Sequence, residues 1–116
     1  MIKINSGIYP FEAGVFYRMS REATVAELRR DYPHVLEELG EYEFLNHTSS
    51  ASFYKLESVT LIWISDSENH ISDLTHELLH FAIDTLKAVG IPLDDSSEEA
   101  YAYLLSYYIK QVLNSK

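Results

Sequence analysis

The chain contains no cysteine, which excludes both disulfide bonds and thiolate metal ligands. Basic residues are scarce as well, because 9 lysines and arginines stand against 18 aspartates and glutamates, for a net charge of −9. A nucleic-acid-binding surface needs clustered Lys and Arg, so we expect no nucleic-acid partner. Any metal site in this chain must therefore be built from histidine and carboxylate groups.

Long apolar runs are absent too. No stretch approaches the roughly 20 apolar residues that a bilayer span requires, so we expect no membrane association. Residues 1–5 (MIKIN) lead into polar sequence without the apolar segment of a secretory signal. These absences favour a protein that stays in the cytoplasm in which it is made.

What the chain does contain suits one folded domain. Its 116 residues, 47% of them hydrophobic, are enough for a single core, and we treat residues 1–116 as one domain. Residues 14–20 (GVFYRMS) favour a strand, since β-branched and aromatic residues predominate there. Residues 24–39 favour helix, but Pro33 disfavours the α conformation at Tyr32, so we expect two short helices or a kink, with an end at Gly40. The positions of this stretch that we expect to be buried are Val25, Leu28, Val35 and Leu39.

The second half of the chain predicts two strands and two long helices. Residues 51–57 and 59–65 favour strands, and the second of them has apolar residues on both pleat faces, which predicts cover on both sides. A helix is expected from near Ser72 to Val89, and another from near Ser96 almost to the end of the chain. Strands with an N-terminal helix, followed by two helices, are typical of the α+β class with a short antiparallel or mixed sheet.

The most specific motif lies in the first of these two long helices. Residues 76–80 (HELLH) place His76 and His80 four positions apart, and therefore on the same helical face, with Glu77 beside them. Two such imidazoles can share one zinc ion, and the carboxylate can act as general base on water. The polar residues of this helix fall in one narrow arc while its other sides are apolar, which favours a stripe lining a cleft over a chance match on a surface helix.

A tetrahedral zinc site with two histidines needs a further protein ligand. Glu99 follows His80 after 18 intervening residues and belongs to the run Glu-Ala-Tyr-Ala-Tyr-Leu, residues 99–104. On these residues the last 45 or so positions resemble the gluzincin class of zinc metallopeptidases, and also small metallopeptidase-like proteins encoded by bacteriophages. The resemblance implies a zincin-like domain with His76, His80 and Glu99 as zinc ligands. Glu98 is the alternative third ligand. Either glutamate could instead serve a capping box at the start of the helix, Glu99 with Ser96 or Glu98 with Asp95.

The resemblance implies peptide-bond hydrolysis by a zinc-activated water, with Glu77 as catalytic general base. It also implies a strand before the metal helix that pairs with an extended peptide, either residues 51–57 or 59–65. We expect Zn²⁺ as cofactor, a protein or peptide as partner, and the host cytoplasm as location if a phage encodes the chain. The alternatives are a zincin-like metal-binding factor without catalytic activity, such as a phage accessory protein, and a structural domain without metal.

Several other polar residues fit more than one role. Asp84, one turn after His80, could orient a ligand imidazole, pair with Lys87 or face solvent. Tyr103 or Tyr107 could stabilise an oxyanion, although packing is the commoner role of a tyrosine. The histidines for which we expect only surface positions are His34, His47 and His70.

Overall fold

A computed structural model describes residues 1–115. Within this range the chain forms four strands and five helices, which confirms the α+β class. In chain order they are β1 (Ile2–Ser6), β2 (Tyr9–Tyr17), α1 (Arg21–Asp31), α2 (Pro33–Leu39), α3 (Glu41–Asn46), β3 (Ala51–Lys55), β4 (Thr60–Ile64), α4 (His70–Ala88) and α5 (Glu98–Asn114).

The four strands form one mixed sheet in the order β1-β2-β4-β3. β1 is antiparallel to β2, β2 is parallel to β4, and β3 is antiparallel to β4. The parallel pair requires a crossover, which α1, α2, α3 and β3 provide. As a result β4 has a strand on each side, whereas β3 lies at an edge of the sheet.

Helices cover both faces of the sheet, so two cores result. α4 and α5 pack on one face, while α1, α2 and α3 pack on the other. β4 shows the division residue by residue, since Leu61 and Trp63 belong to the second core and Ile62 and Ile64 to the first. The expectation that this strand is covered on both sides is therefore confirmed. Burial of each such side chain stabilises the folded state by about 1.5–3 kcal/mol relative to leaving it exposed to water.

Pro33 divides the first helical stretch as expected. α1 ends at Asp31 and α2 begins at Pro33, where the missing N–H of proline costs no helical hydrogen bond. Gly40 ends α2 with a φ of 84°, a conformation that side chains disfavour. Three of the four expected core positions are buried, but Leu39 is only partly buried and Leu36 takes its place in the core.

The N-terminal region differs from the sequence-based expectation. The strand expected over residues 14–20 is the second half of β2, which begins at Tyr9 and ends at Tyr17. β1 and α3 were not predicted. β1 is joined to β2 by a tight turn in which Gly7 has a φ of 66°, so the polar residues Asn5 to Gly7 are the turn signal that identifies this hairpin.

α4 and α5 form an antiparallel hairpin. The contacts between them determine which residue of α5 lies beside which residue of α4 along the helix axis. The ring of Tyr108 stacks on Phe81 with centroids 4.6 Å apart, and its hydroxyl lies 3.0 Å from that of Thr85. At the other end, the Tyr101 hydroxyl donates to the Ile91 carbonyl over 2.6 Å. None of the helices in residues 1–115 combines the length and apolar character of a membrane span.

Candidate metal centre

His76 and His80 lie one turn apart on α4 with their Nε2 atoms 3.3 Å apart. Two imidazoles that share a tetrahedral zinc at 2.0–2.1 Å have their nitrogens roughly 3.3 Å apart, so the observed separation fits that geometry. It equally fits a direct hydrogen bond in which one ring donates to the other. Both side chains are exposed and reachable from solvent. The separation of the pair is therefore compatible with two nitrogen ligands to one divalent cation.

Glu77 lies beside this pair but is buried, with a relative exposure of 8%. Burial raises the pKa of the Glu77 carboxyl above its ordinary value, because water no longer solvates the anion. The positive charges that His76 and His80 can carry act against this rise, and Asp73 adds to it. A carboxylate with a raised pKa is a better proton acceptor, which is what a general base requires.

Glu77 and His80 line one side of a groove with a volume of about 380 Å³. β3 runs along the groove, and the ring of Phe53 lies 5.8 Å from that of His80. The remaining lining residues come from β3 and from the segment before it, namely His47, Ser49, Ala51, Ser52 and Tyr54. The histidine pair therefore stands beside an edge strand and not in a deep cavity.

The main chain of β3 has one side open to this groove. Leu56 N–H donates to the Val59 carbonyl and Ser65 N–H to that of Ser50, so the even-numbered residues of β3 bond to β4. In an antiparallel ladder the intervening residues direct both N–H and C=O away from that partner. Within residues 1–115 no strand pairs with this outer side. The residues whose main-chain groups face outward are Ala51, Phe53 and Lys55.

Glu99 lies in the first turn of α5, exposed, at the far end of the helical hairpin from the histidines. Tyr108 is level with Phe81 and Thr85. Glu99 precedes Tyr108 by nine residues and therefore lies about 14 Å from it along the helix axis, in the direction away from His80. Across residues 1–115, no three His, Asp or Glu side chains form a group that could hold a metal. The structure thus does not bring Glu99 to the pair, and its role as ligand stays a prediction; the same holds for Glu98.

The capping boxes considered as the alternative role of Glu98 and Glu99 are not formed at the start of α5. The helix begins at Glu98 with Ser97 as N-cap, and no side chain caps it. Instead the Asp94 carboxylate accepts hydrogen bonds from the Ser96 and Ser97 N–H groups at 2.9 and 3.1 Å. Neither glutamate is therefore engaged in a capping box, and both carboxylates are exposed.

The other candidate residues have the following places. Asp84 pairs with Lys55 of β3 at 3.2 Å, and not with Lys87. Tyr107 is half-exposed and donates to the Asn5 side chain, while Tyr103 is 73% exposed, and both are on α5 away from the groove. His70 is partly buried with Nδ1 2.5 Å from the Tyr17 hydroxyl, so the expectation of a plain surface position was wrong for it.

His47 is the groove residue that sequence reasoning missed. It is exposed, as expected, but it lies in the same groove as Glu77 and His80. No local motif marks it, because the groove is lined jointly by a loop and by a helix about 30 residues further along the chain. The available signal was its position just before an expected strand that neighbours the motif helix.

Comparison of the chain with protein-family models, with curated proteins and with solved structures gives no match. At the groove, His80 and its neighbour His76 stand at a metal-sharing distance, the buried carboxylate of Glu77 lies beside them, and the outer edge of β3 is open alongside.

Proposed function

We propose that this protein is a zinc-dependent metallopeptidase with a zincin-like arrangement, which hydrolyses a peptide bond in a chain laid along β3. The observation that carries the proposal is the separation of 3.3 Å between the Nε2 atoms of His76 and His80, next to the buried Glu77. The motif helix packed beside an edge strand of a mixed sheet adds support, because an extended peptide can pair with such an edge.

His76 and His80 would hold the zinc ion together with water. The resemblance of the sequence to gluzincins suggests Glu99 as a further ligand, a role that would require α5 to move toward the histidines. A zinc ion bound there supplies Lewis-acid chemistry, lowering the pKa of water and polarising a carbonyl group. Histidine and carboxylate ligands suit zinc, and would also accept cobalt, nickel or manganese.

Two parts of the chain itself would act on the peptide. Ala51, Phe53 and Lys55 would hold its main chain by β-pairing, which fixes the position of one peptide bond relative to the motif helix. Glu77 would take a proton from the attacking water and deliver it to the amine that leaves. The raised pKa of Glu77 supports both steps, since the same group must first accept a proton and then release it.

Elemental analysis of untagged protein, purified without chelator, tests the metal site. We expect about one zinc per chain in the wild type and a large loss in His76→Ala and in His80→Ala. His34→Ala is the matched control, because His34 is an exposed histidine of α2 outside the groove. Wild-type protein that neither contains zinc nor takes it up on titration would end the proposal.

The same groove would also serve a protein that binds a peptide strand without cutting it, since a peptide can pair with the open edge of β3 whether or not it is then hydrolysed. Glu77→Gln separates the two functions. We expect this variant to retain zinc and to lose hydrolysis of unfolded protein substrates such as denatured casein. A variant with unchanged hydrolysis would rule out Glu77 as the base, and a wild type that binds zinc and peptides but cleaves none would favour the binding protein.

A further inference from the structure

The side of the groove opposite α4 is formed by the loop between α3 and β3 together with one face of β3. His47 and Ser49 belong to the loop, and Ser52 to the strand. Across the groove from them stand Glu77 and His80. A peptide lying on the outer edge of β3 would therefore pass between the motif helix and this second wall.

His47 presents a hydrogen-bond donor to the groove. The Ser49 N–H donates to His47 Nδ1 over 3.2 Å. A backbone N–H can only donate, so Nδ1 contributes its lone pair, and the proton of the neutral ring must be on Nε2. In this tautomer Nε2 is a donor and not a metal ligand, which distinguishes His47 from the pair on α4.

Arg21 fixes the loop that carries His47. Its guanidinium donates to the carbonyls of Phe44 and Ser49, at 2.6 and 2.8 Å, and these two groups flank His47 along the chain. The same guanidinium lies 4.0 Å from the ring centroid of Trp63, a cation–π contact that holds it in place. The loop is thus held at both ends before any ligand arrives, which lowers the entropic cost of binding.

The same arginine also orients two hydroxyl groups. Arg21 donates to Ser49 Oγ over 3.3 Å, and Ser49 Oγ lies 3.0 Å from Ser52 Oγ. Because arginine cannot accept, the Ser49 oxygen is the acceptor of the first bond, whereas either hydroxyl can donate in the second. The bond between the two hydroxyls uses one of their two protons, so the other is left to donate to a ligand. Together, His47, Ser49 and Ser52, backed by Arg21, form what we call the donor wall.

We propose that the donor wall binds the carboxylate of an acidic side chain, so that the groove prefers extended peptides with Asp or Glu on the side facing away from α4. Successive side chains of a strand point to opposite faces, so this residue would neighbour one that faces the motif helix. Two other acidic groups near the groove are already engaged, since Ser50 Oγ donates to Asp73 over 2.9 Å and Lys55 pairs with Asp84. The proposal rests on the proposed function only for what happens to the peptide after binding.

Fluorescence anisotropy with short labelled peptides tests this preference without requiring catalysis. The probes are a Thr/Ala-rich peptide with a single central Glu and its counterparts with central Gln or Lys, titrated with the Glu77→Gln protein, with and without zinc. We expect the Glu peptide to bind about tenfold more tightly than the Gln peptide, because hydrogen bonds to a charged group are the stronger ones. His47→Leu should abolish this preference, His47→Gln should keep part of it as an amide donor, and His34→Leu should leave it unchanged.

Equal affinity for the three peptides, or a Glu preference that survives His47→Leu, would overturn the proposal. Neither result depends on the metal, because the donor wall and the edge of β3 contain no proposed zinc ligand. A protein that binds zinc and cleaves peptides without an acidic preference would keep the proposed function and refute this inference alone. A protein that prefers the Glu peptide but binds no zinc would keep this inference and refute the proposed function.

Discussion

At the scale of single residues, Tyr108 is the clearest case of a polar group built into the core. It is fully buried, and its hydroxyl lies 2.7 Å from Ser6 Oγ and 3.0 Å from Thr85 Oγ1. Tyr108→Phe removes this hydroxyl while the ring still packs on Phe81. We expect the free energy of unfolding to fall by about 1–2 kcal/mol in urea denaturation, since the partners lose a hydrogen bond in a buried site. Tyr103→Phe, at a largely exposed position, is the control, and equal effects of the two changes would contradict the prediction.

The same residue predicts a loss of stability at high pH. Burial raises the pKa of Tyr108 above the ordinary value of 10.0, so the folded state holds the phenol proton more tightly than the unfolded state does. Its contribution is fully present below that ordinary value and is lost as pH rises through the folded-state pKa. Denaturation curves between pH 8 and about 11 should show this decline, and a slope unchanged in Tyr108→Phe would refute the assignment.

The residues of the candidate site were predictable to different degrees. His76 and His80 could be placed on one face from sequence because four residues of helix fix their relation, whatever the rest of the chain does. His47 could not, because it reaches the groove through the packing of a loop against a strand edge. Glu99 was chosen by its spacing from His80, but spacing along the chain does not determine the level of α5 on α4, which the Tyr108 contacts do.

At the scale of elements, the proposed pairing of a peptide with the outer edge of β3 can be tested by removing one main-chain N–H donor. Ala51→Pro would remove the first outward-facing N–H of the strand and leave the β4 ladder intact, and proline is tolerated at the first residue of an edge strand. We expect weaker binding of all peptides in the anisotropy assay, at a melting temperature close to that of the wild type. Ala51→Val keeps the N–H and should bind as the wild type does. Loss of binding in both variants would point to the side chain and not to main-chain pairing.

Some of the helices and strands could be predicted from the sequence and others could not. β4 and α4 were predicted closely, because the four consecutive apolar residues Leu61 to Ile64 and an amphipathic repeat are local patterns. β1 was missed, since a five-residue strand at the start of a chain is stable only through its pairing with β2 and the packing of α5 upon it. Which strand lies at the edge was likewise out of reach of the sequence, as strand order follows from the crossover and not from composition.

At the scale of the whole molecule, zinc binding should appear as added stability. A ligand that binds only the folded state raises the free energy of unfolding by about 2.7 kcal/mol when present at a hundredfold excess over its dissociation constant. We therefore expect the melting temperature to rise with added zinc in calorimetry, and this shift to vanish in His76→Ala. Glu77→Gln should keep it, because Glu77 is proposed as base and not as ligand.

The same experiment decides how α4 and α5 are related when metal is bound. Both histidines belong to α4, so a zinc held by them and by water would leave the hairpin as it is, with Glu99 about 14 Å beyond the level of Tyr108, on the side away from the histidines. If Glu99 is the third protein ligand, α5 must move toward the histidines, and Glu99→Gln would then reduce the zinc-induced shift nearly as much as His76→Ala does. From the Tyr108 contacts that fix the hairpin, we expect Glu99→Gln to retain most of the shift. A complete loss would show that the metal reorders the two helices. Glu98→Gln tests the alternative ligand in the same way, and Glu37→Gln, at an exposed position of α2, is the control for the charge removed.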